Sequence, residues 1–140
     1  MKISSKTIRK YPFSWLCIIL IWILCFCTPP HTPLDKVALM DKWTHIVMYA
    51  GTCFVIWAEY LRNHRTTDGS VFFINRKSLF IWSWLYPILM SGLIEILQAY
   101  CTGGRRSGDW LDFLANSIGA TVGAGIGMAL MAAIKKKQKK

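Results

Sequence analysis

FLANSIGATVGAGIGMALMAAI, residues 113–134, contains no Asp, Glu, Lys or Arg. A helix rises ~1.5 Å per residue and the hydrocarbon core of a bilayer is ~30 Å thick, so a run of this length reaches across. Three other runs are of the same kind. Residues 11–27 and 43–58 carry no charge, and residues 78–94 carry none before the pattern continues past Glu95 to Cys101. Backbone groups in lipid have to be satisfied within their own segment, which leaves helices. The expectation is an all-α membrane protein, a bundle of four transmembrane helices at about 11–28, 42–61, 78–101 and 110–134. These form a single domain, 11–134, between a basic tail (1–10) and a lysine tail (135–140).

Composition agrees with that pattern. Of 140 residues, 54% are hydrophobic and 14% aromatic, and mean hydropathy is +0.34, yet the net charge is +10. Such apolarity excludes a disordered or collagen-like chain and most soluble folds. A nucleic-acid binder would interleave its cations with polar residues. Here they stand in short blocks between apolar runs, so the expected partner is membrane lipid and not nucleic acid.

The cations also set an orientation. Lys2, Lys6, Arg9 and Lys10 precede the first run, Arg62, Arg65, Arg76 and Lys77 lie between the second and third, and five lysines end the chain. Those thirteen would share one side, against Lys36, Lys42, Arg105 and Arg106 on the other. Positive charge stays inside, so both termini are expected in the cytoplasm of a multi-pass protein of the plasma (inner) membrane. The first run has the charged flank of a signal peptide but no small-x-small cleavage site after it, and reads as an uncleaved anchor. Cys17, Cys25, Cys27 and Cys53 read as small apolar packing residues, and no Cys-x-x-Cys pair exists.

With this orientation the polar residues of the spans fall at one depth, near the outer face. Asp41, Lys42, His45 and Tyr49 open the second span, and at ~100° per residue they share an arc of ~100°. Ser91, Glu95 and Gln98 (i, i+4, i+7) end the third. Arg105 and Arg106 lie in the following loop, and Asp109, Asp112 and Asn116 (i, i+3, i+7) open the fourth. The last stripe continues inward as Gly119, Gly123 and Gly127, a spacing that lets a neighbouring helix approach closely. The acids are therefore expected to face protein. Pro87 is expected to kink the third span below them. Singly, each residue has an ordinary explanation: a snorkelling lysine, an aromatic belt, a capping Asp109. Glu95, an acid within an apolar stretch, does not. Glu59 and Arg62 at the opposite end read as a rim pair without function.

The ordered set Asp41-Lys42-x-x-His45-x-x-x-Tyr49, Glu95-x-x-Gln98 and Arg106-x-x-Asp109-x-x-Asp112-x-x-x-Asn116-x-x-Gly119 resembles the VanZ-like family, over roughly residues 28–127. These are small bacterial membrane proteins named for a member giving low-level teicoplanin resistance. The resemblance implies a bacterial inner-membrane protein at the cell envelope, with a role in glycopeptide resistance among the expectations. It implies no settled reaction, and the cofactor is left unknown.

The functional expectation is an outward-facing polar site that binds or modifies a lipid-linked or cell-wall-precursor ligand. Lys42, His45, Arg105 and Arg106 would hold phosphate or carboxylate. His45, Glu95 and Asp112 are the catalytic candidates, His45 with a carboxylate being the best acid/base pair. Asp41, Lys42, Tyr49, Gln98, Arg105, Arg106, Asp109 and Asn116 are the ligand-binding candidates. A second reading is a metal-dependent enzyme acting on phosphate- or acyl-bearing lipids. It would use a cation on Glu95, Asp109, Asp112 and His45 with Asn116 in support, but the spacing matches no strong metal motif and no metal site is assigned. A small transporter and a purely structural network are the remaining alternatives. Against transport, the polar stripe ends at Asn116 and gives way to glycine.

Overall fold

The computed structural model describes residues 9–27, 39–64, 75–103 and 108–138. Among them the chain is all helical. Helix α1 is Pro12–Phe26 and α2 is Met40–Asn63. A third rod is built from α3 (Arg76–Phe80), a π-turn (Ile81–Leu85) and α4 (Tyr86–Cys101), and the last helix, α5, is Trp110–Gln138. Arg105, Arg106 and His31 lie outside the described residues.

Two rods, Lys77–Cys101 and Trp110–Lys136, are long and apolar enough to cross a membrane. The other two fall short of that measure for different reasons. Helix α1 is apolar but has 15 residues, and α2 has 24 but carries Asp41, Lys42, Glu59 and Arg62 towards its ends. The distribution of side chains is that of a bundle in an apolar solvent. Leu114, Ile118, Val122 and Ile126 of α5 are exposed at every fourth position, and Leu89, Leu93 and Ile96 are exposed on α4. Meanwhile Ser14, His45, Glu59, Ser91, Glu95, Gln98 and Asn116 are buried. An apolar exterior of this extent marks a surface made for lipid or for another chain.

Helix α2 packs most extensively on α5. A Cβ on Gly119 would run into the carbonyl of Ile46, one on Gly123 into that of Ala50, and one on Gly127 into the ring of Trp57. The absent side chains let the two backbones approach, as the four-residue spacing anticipates. A separate apolar cluster of Ile21, Cys25, Tyr49, Met90 and Ile94 joins α1, α2 and α4.

Pro87, expected to kink the third span, interrupts its helical hydrogen bonding. It has no N–H to offer the carbonyl of Ser83, and the helix widens just before it: Tyr86 N–H reaches Ile81 O, one residue further back than in an α-helix. Ser83 hydroxyl donates back to Leu79 O at 2.6 Å. Gly103, at φ +59°, then stands just past the end of α4, where a left-handed residue is easiest for glycine.

The Glu59 end holds a finding the sequence reading missed. Glu59 is not a bare rim acid. Its carboxylate accepts Phe13 N–H at 3.1 Å, Ser14 N–H at 2.8 Å and the Ser14 hydroxyl at 2.6 Å. These are orphan donors of the first turn of α1, which has no cap of its own. Arg62 stands 3.5 Å from the same carboxylate. A second correction concerns Cys27, read as a packing residue: it is exposed just beyond α1, while Cys25 and Cys53 are buried.

Candidate functional site

At the opposite end of the bundle α2, α4 and α5 bring their polar residues together. Lys42 projects from the first turn of α2 towards α5. Its ammonium donates to Asp109 Oδ2 at 2.7 Å and to Asp112 Oδ1, with Asp41 Oδ2 at 3.6 Å. Its side chain is only one-fifth exposed, at 20%. The ammonium beside Asp109 holds that carboxyl below the usual carboxylate range, helped by the backbone N–H of Leu111. That N–H reaches Asp109 Oδ1 at 2.9 Å, so Asp109 also caps α5.

One turn deeper lies His45, buried. Its Nδ1 is 2.9 Å from Asn116 Oδ1, and Asn116 Nδ2 donates to Ser91 Oγ at 2.7 Å. The chain from α2 through α5 to α4 orients the imidazole. With the amide oxygen facing the ring, Nδ1 is the donor to Asn116, and Nε2 is turned to the acids. Nε2 stands 3.8 Å from Asp41 Oδ1 and 3.8 Å from Asp112 Oδ2.

Glu95 lies across from these groups on α4. Its Oε2 accepts Asp109 N–H at 3.0 Å, while Oε1 is buried with no hydrogen-bond partner. Gly108 makes this possible: a Cβ there would strike the Glu95 carbonyl, so only glycine lets the chain ahead of α5 pass so close to α4. The sequence signal was a glycine immediately before the capping Asp109. Tyr49 is fully buried beneath the cluster, near Ser91 and Glu95.

Of the sequence candidates, then, Asp41, Lys42, His45, Glu95, Asp109, Asp112 and Asn116 share one site, with Tyr49 as its floor. Gln98 does not join them. Its Nε2 donates to Cys25 O at 2.6 Å, pinning α4 to the end of α1. Gln98, three residues on from Glu95, faces α1 instead.

The geometry also divides the set expected to hold a metal. Asp109 is engaged by Lys42 and the α5 cap, and Glu95 by the backbone of Asp109. The three groups whose ligand atoms lie within 4.8 Å of one another are Asp41, His45 and Asp112. Chemically the site offers an oriented imidazole nitrogen beside two carboxylates, and one ammonium already surrounded by three.

A family model described as VanZ/LLP1 matches residues 13–132. Comparison with curated proteins and with solved structures gave no match.

Proposed function

The chain belongs to the VanZ/LLP1 family, and from that footing we propose that the polar end of its bundle binds or modifies the headgroup of a membrane lipid or lipid-linked cell-wall precursor. All four rods cross the membrane in this reading, with both termini in the cytoplasm and the site facing outward. Two membrane-length helices and the family assignment already point to a membrane protein. The orientation comes from the distribution of lysine and arginine.

The observation that carries the proposal is the imidazole of His45. It is buried, oriented through Asn116 and Ser91, and turns Nε2 towards two acids at the bundle end. In the proposed role His45 Nε2 takes a proton from a hydroxyl or amine of the headgroup, and Glu95 and Asp112 position that group. Lys42, enclosed by carboxylates, steadies the acids. Arg105 and Arg106, next in sequence ahead of the site, supply cations for the phosphate or carboxylate. A glycopeptide-resistance role would follow if the headgroup is that of a cell-wall precursor.

The full chain purified in mild detergent tests this by mass spectrometry of the lipid that stays bound. The wild type retains one lipid class in excess over the surrounding membrane. His45→Asn, Glu95→Gln and Asp112→Asn accumulate normally and lose that excess, along with any change in glycopeptide susceptibility the intact protein confers. Equal retention by wild type and variants would sink the reading. Failure of all three to accumulate favours the structural alternative, which the enclosure of Lys42 by Asp109 and Asp112 supports.

A further inference from the structure

We propose that Asp41, His45 and Asp112 bind one first-row divalent cation, Zn2+ or Mn2+, at the polar end of the bundle. What the cation would then do for a headgroup rests on the function proposed above; its binding does not.

With Nδ1 bonded to Asn116 Oδ1, Nε2 faces Asp41 Oδ1 and Asp112 Oδ2, each at 3.8 Å. One ring nitrogen and two carboxylate oxygens, each a metal-ligating atom, converge on one point. Lys42 does not fill the gap, because it takes Asp112 through the other oxygen, Oδ1, and Asp41 through Oδ2. Each acid thus turns one oxygen to the ammonium and the other to the imidazole. A divalent cation at the centre of this convergence would satisfy all three atoms at once.

The separations suit a metal. Bonds from Zn2+ to imidazole nitrogen or carboxylate oxygen are ~2.0–2.2 Å, so two ligand atoms on one ion stand at most ~4.2 Å apart. The two gaps of 3.8 Å fall inside that limit, and all three ligand atoms lie within 4.8 Å of one another. Small rotations of the exposed Asp41 side chain bring in the third. The ring's other nitrogen is already bonded to an amide oxygen, the arrangement that fixes the tautomer of metal-binding histidines.

Glu95 gives an independent sign of a missing positive partner. It is 8% exposed, and its Oε1 is buried without a hydrogen bond. It lies within electrostatic reach of both His45 and Asp112. Asp41, Asp109 and Asp112 set three carboxyl groups around the one ammonium of Lys42, and Glu95 adds a fourth beside Asp109. One imidazole and two carboxylates favour Zn2+ or Mn2+ over Mg2+ and Ca2+, which prefer oxygen alone. In the headgroup reading the cation would take the place of the free Nε2 base and meet the phosphate or carboxylate itself.

The test uses Mn2+ and Zn2+ alone, added to the chelator-treated full chain in detergent. The free Mn2+ electron-spin signal should fall with one equivalent bound, and Zn2+ should restore it. His45→Gln, Asp112→Asn and Asp41→Asn should each weaken binding at least tenfold, and Asn116→Ala about tenfold through loss of the ring's orientation. Glu59→Gln, at the far end, should change it less than about threefold. Asp41 is 67% exposed, so its variant tests the site without threatening the fold. Nitrogen NMR should show the Nε2 resonance of His45 moving on Zn2+ addition while Nδ1 keeps its proton. Absence of saturable binding up to millimolar Mn2+, equal displacement by Mg2+, or an unmoved Nε2 would overturn the proposal. Metal titration and lipid retention are separate measurements, so either reading can fail alone.

Discussion

The ammonium of Lys42 lies 2.7 Å from Oδ2 of Asp109, a contact between residues 67 apart in sequence that closes the start of α2 onto the start of α5. Asp112 takes a second hydrogen of the same ammonium. One lysine thereby neutralises two acids that would otherwise repel each other at the mouth of the site.

Lys42→Met should therefore destabilise the bundle by about 2 kcal/mol, the scale of a lost charge-assisted hydrogen bond, despite adding an apolar side chain to a membrane protein. Adding Asp112→Asn should recover part of the loss, since it removes one stranded charge. Thermal unfolding in detergent measures both. Additive losses in the double variant would show that the two groups do not interact.

Topology is open to direct measurement. A reporter active only outside the cytoplasm should work when fused after residue 35 or 104 and be silent after residue 68 or at the C-terminus. An active C-terminal fusion would place the His45 site on the cytoplasmic face.

The glycines of α5 should not be equivalent. Gly123→Ala would drive a methyl group into the carbonyl of Ala50, whereas nothing stands within 4 Å of a Cβ on Gly125. Gly123→Ala should lower the melting temperature, while Gly125→Ala should leave it unchanged or raise it, by up to ~1 kcal/mol of helix propensity. Equal effects would mean that α2 and α5 are not in this close contact.

Glu59→Ala should cost about 3 kcal/mol, because it strands the first-turn donors of α1. Glu59→Gln keeps an acceptor oxygen and should cost clearly less. Protease accessibility at the start of α1 reports on the same contact: it should rise in the alanine variant and stay low in the glutamine variant.

Much of the site was legible because helical spacing carries it. Asp109, Asp112 and Asn116 share a face, that face continues into Gly119, Gly123 and Gly127, and glycines at this spacing have to meet a neighbour. From there the burial of His45, Glu95 and Asn116 followed. What spacing does not carry is partner choice between elements distant in sequence. Gln98 sits at a position compatible with the cluster, yet it turns to Cys25. Glu59 looked like a rim acid because its partners are backbone N–H groups, which every sequence has and none displays. The metal candidates changed for the same reason: Asp41 and Asp109 are equally available by composition, and only the direction of Lys42 decides which is free.

The π-turn at Ile81–Leu85 has a consequence for chain length. A turn closed from residue i to i+5 holds one residue more than an α-helical turn. Removing one residue inside it would let the rod close as plain α-helix, with Leu79 on one side and Ser91 and Glu95 on the other still turned to their present neighbours. The same deletion a few positions later, within α4, would rotate everything after it by about 100° against everything before. That would swing Glu95 away from Asp109. The rod thus has one place where a residue can be lost without misaligning its two halves, and it lies before the polar cluster.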